Sequence, residues 1–97
     1  MLLKTNVAVS YNKIGDTLLD IGKREEALAA YRAGLSVMER LVAADPDNSR
    51  WKQGLGVSFE NIGYMLAQNG KIENALVEYR KCLAIREELV ASDRGNA

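Results

Sequence analysis

Three observations predict an all-α protein built from two copies of one helix-turn-helix unit. First, a shift of 48 residues lays the 97-residue chain on itself: 20 of the 48 pairs between residues 1–48 and 49–96 are identical. A fixed period in this range marks a repeat array. Second, apolar residues recur in steps of three and four, and alternation at period two is absent, which is the pattern of helices and not of strands. Third, the single proline, Pro46, falls between two periodic stretches, where helix breakers belong.

The first unit covers residues 1–48 and the second 49–97. Val7, Tyr11, Ile14, Leu18 and Ile21 share one face of a first helix, expected over about residues 2–21. Gly22 then supplies a left-handed C-terminal stop. Glu25 and Glu26 suit the positive end of a second helix, expected over about 23–44. Its apolar face is Leu28, Tyr31, Leu35, Met38 and Val42. Asp45-Pro46-Asp47-Asn48 is a strong turn, and Ser49 is placed to cap the third helix. The second unit repeats the plan with helices expected over about 50–69 and 71–92. Gly54 and Gly56 each cost a helix about 1 kcal/mol relative to alanine. Either the third helix starts late, near Val57, or packing holds both glycines. The tail, Asp93-Arg94-Gly95-Asn96, lacks the proline turn and is expected to fray.

These residues resemble the tetratricopeptide repeat, whose first helix carries a large aromatic, a Leu-Gly pair and a further large residue. An alanine and an aromatic four positions later mark its second helix. The first unit has Tyr11, Ile14, Gly15, Leu18, Ala27 and Tyr31; the second has Phe59, Ile62, Gly63, Leu66, Ala75 and Tyr79. The small residues let the paired helices approach closely. The family's usual period is about 34 residues, with a proline closing the second helix; Glu39 and Glu87 stand at that place here. The extra length is about four helical turns, as in a long-helix variety similar to bacterial tandem arrays. The resemblance implies a short right-handed α-solenoid. Because the chain starts and ends in phase with its repeat, it is expected to be part of a longer array.

Composition excludes several function classes. Thirteen basic residues balance thirteen acidic ones, so the chain lacks the field that draws nucleic acid or anionic membrane. The opening Met1-Leu2-Leu3 meets Lys4, Thr5 and Asn6 at once, too soon for a signal peptide or a membrane span. The lone cysteine, Cys82, cannot form an internal disulfide, which points to a reducing, cytoplasmic home. No histidine is present, removing the commonest general base and metal ligand. No enzyme activity, cofactor or metal is expected. Cys82 matches Gly34 and reads as a small apolar core residue. Gly54-Leu55-Gly56 lacks the lysine and spacing of a phosphate loop. Asp45 and Asp47 lack the further oxygens of a calcium loop. Trp51 either packs against Met38, Leu41 or Val42, or anchors a partner, as tryptophan does at binding hot spots.

Function is expected in protein–protein interaction, as a binding module or scaffold segment. The resemblance implies a concave groove lined by the first helix of each pair. Its residues are Asn12, Lys13, Asp16 and Asp20 in the first unit and Glu60, Asn61, Tyr64 and Gln68 in the second. Some members of the family clamp a C-terminal carboxylate with lysine, asparagine and arginine. Asp16, Asp20 and Glu60 would repel one here, so a peptide of mixed or basic character fits better. Reversing Asp16 and Asp20 to lysine is expected to leave folding almost unchanged. The alternative is self-assembly. The terminal helices keep apolar residues without neighbours, among them Leu2, Leu3 and Val7 at one end. Leu76, Tyr79, Leu83, Leu89 and Val90 are their counterparts at the other. A symmetric homodimer is the expected form, joined through the terminal helices or by exchange of a helix across the Asp45–Asn48 hinge.

Overall fold

The computed structural model describes residues 2–95, with side chains described for 6–93. Four α-helices follow in order among these residues: α1 (Leu2–Asp20), α2 (Arg24–Ala44), α3 (Ser49–Gln68) and α4 (Ile72–Gly95). Each packs on its chain neighbour, α1 on α2, α2 on α3 and α3 on α4. The molecule measures 44 × 31 × 19 Å, and its shortest dimension is about two helix diameters. This is an all-helical repeat solenoid of two helical hairpins.

The same stop closes α1 and α3. Gly22 has φ 81° and Gly70 φ 79°, a left-handed conformation that glycine adopts without a Cβ penalty. The Gly22 amide donates to Leu19 O at 3.0 Å and the Lys23 amide to Leu18 O at 2.8 Å. The Gly70 and Lys71 amides repeat the pattern onto Ala67 O and Leu66 O at 3.0 and 2.9 Å. These paired bonds satisfy carbonyls that the helix end would leave open.

Several boundaries differ from expectation, each for a local reason. Asn48, not Ser49, caps α3: its side chain accepts from the Trp51 amide at 3.0 Å, so the helix begins at Ser49. The helix does not wait for Val57. Gly54 is held because the Met38 side chain occupies the space of its missing Cβ, which would lie 2.7 Å from the Met38 methyl. Gly56 faces Ile85 and Cys82 of α4. At the other end α4 runs to Gly95, past the expected end near 92, because Arg94 stands where Pro46 breaks the chain after α2. Asn96 and the side chains of Leu2, Leu3 and Lys4 lie outside the described residues.

The small residues act as expected. Gly15 lies under the Tyr31 ring and Gly63 under the Tyr79 ring, so close that a Cβ would sit 2.7 and 2.9 Å from ring carbons. One core cluster joins Ala27 and Tyr31 of α2 to Ile62, Met65 and Leu66 of α3 and Ala75 of α4. A second joins Ala8, Met38, Leu41 and Trp51. The predicted core face of α1 is a correction. Tyr11, Ile14 and Ile21 are exposed, and α1 instead buries Ala8 and Gly15, with Leu18 and Leu19 half-buried; Val7 is exposed, as expected of an end residue without a neighbour. On α3 the equivalent face is covered by α2; α1 has no such neighbour among the described residues. On α4, Leu76, Leu83 and Val90 are exposed as expected, while Tyr79 and Leu89 are half-buried.

Candidate functional site

The eight candidate groove residues come from α1 and α3, and the structure sorts them into two groups. Lys13, Asp16, Asp20, Tyr64 and Gln68 are exposed. Asn12, Glu60 and Asn61 are half-buried. The Asn12 side-chain oxygen is buried beside Gly34 of α2 and has no hydrogen-bond partner, so Asn12 belongs to the α1–α2 contact. Glu60 is engaged from α4: Arg86 donates to its two carboxylate oxygens at 3.2 and 3.3 Å, a forked geometry that fixes both side chains. Leu19 and Ala67, on the same sides of their helices, pack against the core.

What remains converges around a residue that the sequence placed only in the core. Tyr31 of α2 is buried, and its hydroxyl donates to Asp16 of α1. Burial raises the Tyr31 phenol pKa above its ordinary value; the bond to Asp16 adds to this, as do the charges of Asp16 and Asp20 and the nearby Tyr64. Three helices thus meet at one corner, with Asp16 and Asp20 from α1, Tyr31 from α2 and Tyr64 from α3. The link to Tyr31 was open to sequence reasoning in one respect. A buried tyrosine needs a hydroxyl partner, and Asp16 directly follows Gly15, on which the ring lies.

This bond overturns one expectation. Asp16 is a partner of a buried hydroxyl and not a free surface charge. Reversing it leaves that hydroxyl unpaired, at a cost of about 1–3 kcal/mol. Asp20 is exposed and is the residue through which the acidic corner can be tested without that cost. With Lys13 the one exposed base among the eight candidates, the corner offers carboxylate oxygens and the Tyr64 ring. Such groups complement an ammonium or guanidinium.

The doubled helical hairpin, with Gly15 under Tyr31 and Gly63 under Tyr79, is matched by the family model described as tetratricopeptide repeat over residues 7–47 and again over 55–93. The chain belongs to the tetratricopeptide repeat family. No curated protein and no solved structure matches it. Tetratricopeptide repeats generally mediate protein–protein interaction or scaffolding, and as a rule they are not catalysts.

The other candidates take structural places in this tetratricopeptide pair. Trp51 is buried with Ala8, Met38 and Leu41, and Val42 packs on the same cluster; its packing role is the observed one. Cys82 is buried, and burial pushes its thiol up, away from the reactive thiolate. Lys81 lies 5.3 Å from the Phe59 ring centre and 3.6 Å from Glu78. Lys52 of α3 and Glu88 of α4 pair at 2.5 Å across the second hairpin. Among the described residues no three histidine, cysteine or carboxylate side chains gather as a metal site. No helix of the described residues is long and apolar enough to cross a membrane.

Proposed function

We propose that this tetratricopeptide pair binds a protein or peptide segment of basic character on the concave face formed by α1 and α3, as a binding module or scaffold segment. The observation that carries the reading is the corner of Asp16, Asp20 and Tyr64 around the Tyr31 hydroxyl. Two carboxylates one turn apart and an exposed aromatic ring suit a lysine or arginine side chain of the partner. Lys13, Asn61 and Gln68 flank the corner as polar contacts, whereas Asn12 and Glu60 support it from within. A cytoplasmic location is part of the proposal and rests on the lone thiol of Cys82.

Fluorescence anisotropy with labelled peptide pools tests it, one pool rich in lysine and arginine and one rich in aspartate and glutamate. The basic pool is expected to bind, and Asp20→Lys or Tyr64→Ala to weaken binding about tenfold or more. Equal binding of the acidic pool, or indifference to Asp20→Lys, defeats the assignment. Self-assembly, with a homodimer as its simplest form, is the second reading. It is favoured by the exposed apolar side chains on α1 and α4, including Ile14 and Leu83.

A further inference from the structure

The repeat allows the internal joint between α2 and α3 to be compared with the two ends of the molecule. On α3, Phe59, Ile62 and Leu66 are buried. Ile62 and Leu66 pack with Ala27 and Tyr31 of α2, and Phe59 lines a groove with Leu35 of α2. Their equivalents on α1 are Tyr11, Ile14 and Leu18, the same kinds of side chain in the same order. Tyr11 and Ile14 are 36% and 50% exposed, against 8% and 3% for Phe59 and Ile62.

The other half of the joint behaves in the same way. On α2, Leu28 and Leu35 pack against the first cluster and Val42 against the second. Their equivalents on α4 are the identical residues Leu76, Leu83 and Val90, and these are 43%, 56% and 52% exposed. So α1 carries the α3 half of a working joint and α4 the α2 half; apart from Leu18, which packs on the first cluster, these residues lie open among the described residues. One position departs: where Met38 lies over Gly54 inside the chain, the ends carry Asn6, which has a side chain in place of the glycine hydrogen, and Arg86, which is held by Glu60.

We propose that a second copy of this chain docks head to tail, its α1 lying on α4 of the first in the register that α3 holds on α2. The inference rests on the self-assembly reading and gives that assembly its geometry. A symmetric dimer that set α1 on α1 or α4 on α4 would use pairings for which the molecule holds no template, and one that exchanged hairpins across the Asp45–Asn48 turn would reuse the α2–α3 joint and leave the outer faces of α1 and α4 open. The head-to-tail joint is heterologous, so it leaves one open half at each end and continues the solenoid. Inside the chain the Asp45–Asn48 turn holds the two halves together at an effective concentration of the order of millimolar. Between copies no such link acts, so association depends on concentration.

Complementation of two variants tests this directly. Ile14→Lys kills the α1 half and Leu83→Lys the α4 half, both at exposed positions, with circular dichroism confirming that each stays helical. In sedimentation equilibrium the unaltered chain is expected to rise past twice its 10.7 kDa mass as concentration increases. Each variant alone is expected to stay at the single-chain mass. Their equimolar mixture is expected to form a two-chain species that grows no further, since only one joint can form. A variant that dimerises alone, or a mixture that fails to associate, overturns the head-to-tail geometry while leaving self-assembly standing. A single-chain mass for the unaltered protein at every concentration overturns both, and gives the open faces to a partner other than a copy. If either variant loses its helix, Val7→Lys and Val90→Lys repeat the test on the same two faces.

Discussion

The Tyr31 hydroxyl binds the Asp16 carboxylate from inside the first hairpin, and this sets how the fold responds to pH. Burial and the neighbouring carboxylates hold the phenol pKa above its ordinary value of 10.0. A group whose folded pKa is raised contributes stability that is fully present below the unfolded pKa. That stability is lost as pH rises through the folded pKa. Unfolding free energy should therefore fall as pH climbs above about 10, and Tyr31→Phe should make that fall shallower, the buried Cys82 thiol, whose pKa is also raised, contributing in the same direction. At neutral pH the same variant should be less stable by about 1 kcal/mol, the worth of one hydrogen bond. Urea unfolding at pH 7 and at rising alkaline pH measures both effects; an alkaline slope equal to that of the unaltered protein disproves the assignment. Gly63 gives a second test at this scale. A methyl there meets the Tyr79 ring at 2.9 Å, so Gly63→Ala should destabilise by about 1–3 kcal/mol through overpacking, although alanine is the better helix former.

Each helix end rests on few groups, so its substitutions have separable effects. Gly70→Ala places a Cβ in the left-handed region and should cost about 1–2 kcal/mol, with nothing nearby to clash. Asn48→Ala removes the bond to the Trp51 amide and should cost about 1 kcal/mol. Thermal unfolding of the two variants, alone and together, should show nearly additive losses, since they serve different helix ends. These ends were the most legible part of the sequence, because Gly22, Gly70 and Pro46 act through local backbone geometry. The choice between Asn48 and Ser49 as cap was not legible, since both residue types cap helices and only the Trp51 amide decides. Nor was the buried side of α1. Its apolar stripe lies exposed among the described residues, and periodicity reports a stripe without saying what covers it. Of the candidate site, the exposed residues of α1 and α3 could be read from helical spacing. The Tyr31–Asp16 and Arg86–Glu60 contacts join residues 15 and 26 positions apart. They depend on how helices pack, so spacing along one helix could not show them.

For the molecule as a whole, position in the stack outranks residue identity. Ile14 and Ile62 are the same residue at equivalent points of two matching repeats, yet one is 50% exposed and the other 3%. The difference comes from α2, which covers α3 and leaves the outer side of α1 uncovered. Truncating a buried isoleucine removes apolar contacts and leaves a cavity, at about 2–5 kcal/mol. Truncating a half-exposed one on a helix mostly returns a side chain already in water to a better helix former. Ile62→Ala should therefore lower the stability of the dilute protein by about 2–5 kcal/mol, and Ile14→Ala by less than about 1 kcal/mol. The comparison belongs at low concentration, where copies are apart. Denaturant unfolding there, with equal dependence on denaturant for both variants, reads the two costs directly. Equal losses would mean that α1 is covered in the isolated chain and that the open end does not exist. Unequal losses at low concentration that converge as protein is added would show the same isoleucine becoming a core residue once a neighbour lies on it.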